Sequence, residues 1–372
     1  MWKFYIKLLV EGKKMSKFKD FLKRKNIEFS AKRYGIDALG AMAQGLFCSL
    51  LIGTIIKTLG QQLGIQFLTD IGTYAMAVSG PAMAVAIGYA LKADPMVLFS
   101  LAAVGQAANA EGGAGGPLAV LIIAIVAAEF GKAVSKETKI DILVTPAVTI
   151  LIGVALAKLI APPIGKVASA FGILINQATT LQPFWMGILV SVLVGIALTL
   201  PISSAAICSV LGLTGLAGGA AVAGCCAQMV GFAVISFKEN RWGGLVSQGL
   251  GTSMLQMPNI IKNPRVWLAP IITSAITGPI ATCMFGMQMN GAPINSGMGT
   301  CGLCGPIGVY TGWVSPVEAA LDQGAVAITP GAMDWIGLLL VCIVLPAVIT
   351  PLFHMLFKKL GWVKDGDLAL SK

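Results

Sequence analysis

The stretch Trp242 to Pro264, WGGLVSQGLGTSMLQMPNIIKNP, decides how this chain is read. It lies in a strongly apolar sequence, yet carries Gln248, Thr252, Ser253, Gln256, Asn259 and Asn263, with glycines and prolines that interrupt a helix. Irregular backbone at membrane depth is tolerated only where protein or a water-filled cavity satisfies its polar groups. Such a stretch reads as the site of a small polar solute, with Gln256 at its centre.

The membrane itself comes from composition. Of 372 residues, 56% are hydrophobic and only 11% charged, and the mean hydropathy is +0.84, which excludes a soluble enzyme with a polar surface. The expectation is an all-α polytopic membrane protein with about ten transmembrane helices and two re-entrant hairpins, each crossing needing about 20 apolar residues. The eight cysteines (48, 208, 225, 226, 283, 301, 304 and 342) sit mostly in apolar stretches, where a thiol packs as a small hydrophobe and no disulfide framework is expected.

The net charge of +10 is concentrated at the start, where residues 1–37 hold eleven Lys/Arg against four Asp/Glu. That location reads as a cytoplasmic flank of a membrane protein under the positive-inside bias rather than as a nucleic-acid surface. Within residues 1–35, Lys17–Lys25 (KFKDFLKRK) alternates bases with Phe18, Phe21 and Leu22, and fits an amphipathic helix on anionic lipid. Met15 offers a second start, and Glu11-Gly12 before it reads as a translated ribosome-binding site, which leaves the nativeness of residues 1–14 open. No cleavable signal peptide is evident.

Apolar runs then follow at Ile36–Ile56, Ile71–Leu91 with a kink expected at Pro81, and the short pair Met96–Ala110 and Leu118–Phe130 joined by EGGAGG. Ile142–Ala161 is expected to end at Pro162-Pro163, before an amphipathic linker helix (163–181) lying along the interface. The second half continues through Phe184–Leu200, Ile202–Leu213, Ala217–Phe237, the opening stretch, Val266–Phe285, a second Gly-rich polar segment Gly291–Gly308, and Trp335–Phe357, with 358–372 as a cytoplasmic tail. The connection Gly312–Asp334 holds no Lys or Arg and falls outside, consistent with this parity.

Short interrupted helices rich in Gly and uncharged polar residues point to a midplane transport site. Four places qualify: Gln106–Gly116, Leu200–Ile207, the opening stretch and Gly291–Gly308. Their amides and hydroxyls suit a neutral solute, offering directional donors and acceptors without a full charge to desolvate. The residues expected to line the site are Gln256, Asn259, Thr252, Ser203, Ser204, Gln228, Asn295 and Thr300, with Glu111 and Asn109 as further candidates. Against this stands helix packing, in which Ser and Thr bond their own backbone; for Ser203 and Ser204 both readings stay open, as do a site role and a surface loop for Glu111. The spacing Cys301-Gly-Leu-Cys304 lacks a second ligand pair, so no metal is expected. No cofactor and no catalytic residue is identified, and GLTGLAGG at 212–219 reads as close helix packing.

The order of helices, linker and two polar segments resembles the membrane EIIC component of the bacterial sugar phosphotransferase system, glucose-superfamily fold. That family's Asn-Ile-Asn-Glu-Pro hairpin and following Asn-Pro are matched by Leu255-Gln256-Met257-Pro258 and Asn263-Pro264, and its later Pro-Trp-Thr-Thr-Pro hairpin falls near Ala292–Ser296. PISSAAI (201–207), GTSMLQ-x-PNI (251–260) and GMGT (297–300) resemble the subfamily of the perfringolysin regulator PfoR. The resemblance implies a homodimer, with residues 36–162 as dimerisation scaffold and 182–357 as a solute-binding half displaced in an elevator-like motion. It also implies separate soluble IIA and IIB partners. Met257 stands where sugar-transporting members carry a glutamate, and Pro201–Ser204 where they carry a histidine, so coupling to phosphorylation is in question. A membrane sensor that binds a solute without moving it is the alternative.

Overall fold

A computed structural model describes residues 19–370; the residues before them, including Lys17 and Phe18 of the expected amphipathic segment, lie outside the described part, and residues 19–24 of that segment are helical. Among the described residues every regular element is helical, and one antiparallel backbone bridge joins Gly215 to Met289. Six helical stretches are long and apolar enough to cross a membrane: Arg33–Leu63, Pro95–Val134, Asp141–Thr179, Gly215–Ile235, Pro264–Met284 and Ala332–Lys359. The bent pair Gln66–Ala77 and Ser79–Ala90 makes a seventh if it forms one span.

The first half begins with α1 (Arg33–Leu63), α2 (Gln66–Ala77) and α3 (Ser79–Ala90). The kink expected at Pro81 lies earlier, at Val78, where α2 and α3 bend by 49°. A proline ring clashes with the carbonyl four residues before it, here that of Ala77, so the break precedes the proline. The next stretch comprises α4 (Pro95–Gly112) and α5 (Gly116–Val134), separated by Gly113 at φ +50°. The chain folds back there, since Gly131 near the end of α5 lies against Val97 near the start of α4. At 1.5 Å per residue each arm is about 27–29 Å long, enough to cross a hydrocarbon core of about 30 Å.

The expected stop at Pro162-Pro163 is absent. One 39-residue helix, α6 (Asp141–Thr179), runs through Pro146, Pro162 and Pro163. Its first part packs on the first half, with Gly153 against Val104 and Thr149 against Gly131. Beyond the prolines Ala168, Ile175 and Ala178 are buried against Val190 and Ile207 of the second half. Burial of that face holds the helix together where two missing N–H groups would otherwise end it.

The second half is built on α7 (Pro183–Thr199), the short α8 (Ser204–Val210), α9 (Gly215–Ile235) and α12 (Pro264–Met284). Between the last two lie α10 (Phe237–Val246) and α11 (Met257–Lys262). α13 (Cys304–Val314) and α14 (Ala332–Lys359) complete the chain. Helix α9 is central, and a Cβ at its Gly224 would sit 1.9 Å from the Ser191 carbonyl of α7. Only glycine permits that approach. In the GLTGLAGG run Gly219 meets the Met287 carbonyl just as closely, which is the close packing expected there.

Three helices converge at the end of the molecule near residue 26. Asn26, Lys92 and Lys136 have left-handed φ of 55°, 55° and 62°, the conformation usual just past a helix C-terminus. Open carbonyls at such ends carry partial negative charge. Cations cap them: Lys25 donates to Ser135 O, Lys132 to Asn26 O and Leu91 O, and Arg33 to Leu91 O. Glu129, buried on α5, pairs with Lys132 at 2.8 Å and accepts from the Tyr34 hydroxyl. Lys136 beside Asp94 holds that carboxyl below its ordinary range.

Candidate functional site

The opening stretch folds as the sequence's interruptions demand. Ser247–Gly251 is a π-helical turn, Thr252 is extended, and Ser253–Gln256 forms a 3-10 turn leading into α11. Thr252 Oγ1 accepts from Met254 N at 3.1 Å, capping that turn.

Its amides form a buried row. Gln248 Nε2 donates to Ser236 Oγ (2.8 Å) and Gly244 O (3.0 Å), while Gln248 Oε1 accepts from Gln256 Nε2 (2.8 Å). Gln256 Oε1 in turn accepts from Asn259 Nδ2 at 2.8 Å. The remaining bonds reach the chain's last residues. Gln256 Nε2 donates to Leu368 O (3.1 Å) and Asn259 Nδ2 to Ala369 O (2.9 Å). Asn240 Nδ2 donates to Leu368 O, and Leu370 N donates back to Asn240 Oδ1, both at 2.8 Å. Asn263 Nδ2 reaches Trp362 O and Asp367 Oδ2. The segment expected as a cytoplasmic tail is docked on the helices as far as residue 370, with Val363 and Leu368 in the main apolar core beside Met254, Met257 and Ile260. Gln256 is 0% exposed, and its donor and acceptor bonds are all made within the protein.

Gln228 lies in a second network, inside α9. Its Oε1 accepts from Trp267 Nε1 (2.8 Å) and Thr199 Oγ1 (3.3 Å), and its Nε2 donates to Ser274 Oγ (3.3 Å). Thr199 Oγ1 also lies 2.8 Å from Ser253 Oγ, so this network braces α7, α9 and α12 against the opening stretch.

Ser203, Ser204 and Thr252 meet elsewhere, in a cavity of about 60 Å³ that also touches Gly251, Gly297, Met298 and Cys301. Its opposite wall is α1, through Leu46, Leu50 and Leu51. Ser203 caps α8 through Ala206 N, and Ser204 Oγ donates to Gly297 O at 2.7 Å. Two π-helical turns face each other here, Phe47–Leu51 on α1 and Ser247–Gly251, with Gly251 against the Phe47 ring. Such turns free backbone groups and recur at functional sites. The GMGT segment forms the remaining wall, with left-handed backbone at Gly299, Gly302 and Leu303 and a hydrogen bond from Thr300 Oγ1 to Gly249 O.

Of the other expected residues, Asn295 stands outside the cavity, against Gly308. Glu111 is paired with Lys158 and partly exposed, and Asn109 packs at the α4–α5 fold, against Gly80 and Gly116. Cys301 lines the cavity, while Cys304 Sγ lies 3.3 Å from the Thr58 hydroxyl. Sequence reading missed the α1 wall, because Leu46, Leu50 and Leu51 look like any membrane-helix leucines. It also missed Trp267 as a partner of Gln228, a contact between residues 39 apart.

A family model described as "Phosphotransferase system, EIIC" matches residues 36–370. No curated protein matches the chain.

Proposed function

The chain belongs to the phosphotransferase-system EIIC family, and from that premise we propose which of its residues meet the sugar. It is a multi-pass membrane permease component of a sugar phosphotransferase system, a class that takes a sugar substrate and works with soluble IIA and IIB partners. The solute site we assign is the cavity where Ser203, Ser204, Thr252 and the 297–301 backbone converge on α1. The observation that carries it is this convergence. Two polar segments far apart in sequence bring hydroxyls to one place and a third brings its backbone, all facing the middle of a helix long enough to span.

Its size adds a mechanism. A cavity of about 60 Å³ holds about two waters at liquid density, and a monosaccharide is several times larger. Sugar binding then requires the second half to move away from α1. That displacement is the elevator-like step, with the first half as the fixed, dimeric scaffold, ten crossings in all and the N-terminus in the cytoplasm of a bacterium. Thr300 flanks the site on the GMGT segment and Asn295 on the turn just before it; Gln228 braces it, and Gln256 and Asn259 border it from the tail side.

The experiment is a thermal-shift screen of the purified protein against sugars, polyols and sugar acids, repeated with Thr252→Val and Ser204→Ala. A ligand at a hundred times its dissociation constant stabilises the folded state by about 2.7 kcal/mol. A sugar hit that both substitutions weaken supports the assignment, and a hit indifferent to both sinks it. The sensor reading draws on Met257, which is 7% exposed and packed in the apolar core where the resemblance expects a hairpin glutamate. Binding of the same sugar without uptake into vesicles would favour it.

A further inference from the structure

A second cavity, of about 220 Å³, lies along α1 next to the solute cavity. It is bounded by Gly40, Gln44, Phe47 and Cys48 of α1, by Ser247 and Leu255, and by Leu370. The smaller cavity uses Leu46, Leu50 and Leu51 of the same helix and Gly251, Thr252 and Met254 of the same stretch. The two are thus neighbours about one helical turn apart, between the same pair of walls. The larger one lies toward the end of α1 where the chain's last residues dock, and Leu370 contributes to its lining.

Leu370 is held there mostly by polar groups of α10, α11 and the opening stretch. Four side-chain amides, from Asn240, Gln256, Asn259 and Asn263, donate to backbone or carboxylate oxygens of residues 362–369, and Asn240 accepts from Leu370 N. Glu239 accepts from Gly366 N, and Asp365 pairs with Lys358 and Lys238. Only Val363 and Leu368 bring apolar burial. Attachment is mostly polar and shared along an extended segment, so water can replace it stepwise, and the amides are equally able to receive a solute's oxygens when the backbone carbonyls leave.

We propose that residues 363–370 are a displaceable plug that closes an inner vestibule, lined by Gln44, Cys48, Ser247 and Leu255, through which the solute passes between the cavity and the cytoplasm. The inference rests on the solute cavity assigned above and goes beyond it. The plug must swing out for release, and Asn240, Gln256 and Asn259 then face the departing solute in place of the Leu368 and Ala369 carbonyls.

Cys48 and Cys283 are the exposed cysteines among the described residues, whereas Met257 is 7% exposed and packs in the same apolar cluster as Val363 and Leu368. The test measures the rate at which the thiol introduced by Met257→Cys, in a Cys48→Ser, Cys283→Ser protein, reacts with a charged, membrane-impermeant maleimide in inside-out vesicles. It compares the full chain, the chain ending at Trp362, and Asn240→Ala. Ending at Trp362 keeps the Trp362–Phe357 stack. We expect labelling to rise about ten- to fiftyfold in Asn240→Ala, the order given by losing the two hydrogen bonds it makes to the segment, and further in the shortened chain. Adding a synthetic peptide of residues 363–370 to the shortened chain should slow labelling again. Should shortening unfold the protein, Asn240→Ala still decides. Equal rates in a folded Asn240→Ala protein and the full chain, or no effect of the peptide, overturn the plug. None of these readouts uses a sugar, so a wrong solute site would show as a failed thermal-shift screen beside an intact labelling result.

Discussion

The amide row and the hydroxyl cavity both draw on the opening stretch, and they use polarity in opposite ways. Gln248, Gln256 and Asn259 are larger and costlier to bury, yet their bonds run to one another and to the chain's end. Ser203, Ser204 and Thr252 are small, bond mostly to nearby backbone, and line open space. Size of the polar group tells how much must be satisfied, and says nothing about whether protein or ligand does it. A fully bonded amide is a brace until something displaces its partner. A hydroxyl holding a helix cap keeps a lone pair free for a guest.

Substitution at Gln256 puts the largest strain on this contrast. Gln256→Ala removes bonds to Gln248, Asn259 and Leu368; Asn259 keeps Ala369 O and Leu368 O keeps Asn240, so Gln248 Oε1 alone is orphaned, and the protein should be destabilised by roughly 2–6 kcal/mol, at about 1–3 kcal/mol for the orphaned group and about 0.5–1.5 for each of the other two bonds. Thermal unfolding measures it. Unchanged stability with lost sugar binding would make the row a solute site outright. Thr252→Val comes next: it keeps shape and loses the hydroxyl, so sugar affinity should fall about tenfold, or about 1.4 kcal/mol, with about 1 kcal/mol of stability lost with the cap. Titration calorimetry separates the two. A loss of stability alone would reduce the cavity to packing.

Glu111→Gln tests the first half's polar fold. Its pair with Lys158 joins side chains 31% and 66% exposed, and such pairs contribute well under about 1 kcal/mol, so stability and sugar binding should both stay nearly unchanged. A tenfold loss of binding would place the α4–α5 fold in the solute path.

The smallest effect is one of pH. The Lys358 side chain, and then Lys238, hold the Asp365 carboxyl below the ordinary carboxylate range. A depressed folded value means that this contribution to docking is present above the unfolded value and disappears as pH falls through the lowered one. Docking of the chain's end should therefore be indifferent to pH near neutrality and loosen only in acid, which hydrogen exchange at residues 366–370 would follow. Loosening near pH 7 would point to another group.

Much of the fold was open to reading because the bilayer imposes it. Apolar runs had to be helices, and glycine with buried amides had to mark broken ones; the breaks at Gly113 and from Ser247 to Gln256 are where the residues put them. The single helix α6 was not legible, since two consecutive prolines argue for a stop and only the burial of Ala168, Ile175 and Ala178 reverses that. The polar segments around the cavity were readable, and residues of PISSAAI, GTSMLQ and GMGT do meet there. Their division of labour was not, because Leu368 and Ala369 offer backbone carbonyls, and a sequence gives no sign of which carbonyl another residue will use. Equally, nothing in Leu46, Leu50 and Leu51 sets them apart until α1 faces the cavity.

The proline pair inside α6 gives the molecule a lever. From Pro162 to Thr179 the helix extends about 25 Å at 1.5 Å per residue, and it is gripped by one half before the pair and by the other after it. A change of about 20° at this joint, within the range that proline kinks show, carries the far end through roughly 9 Å. In the proposed elevator-like displacement this one continuous rod would gear the two halves together, and the angle at Pro162-Pro163 would set how far one travels past the other.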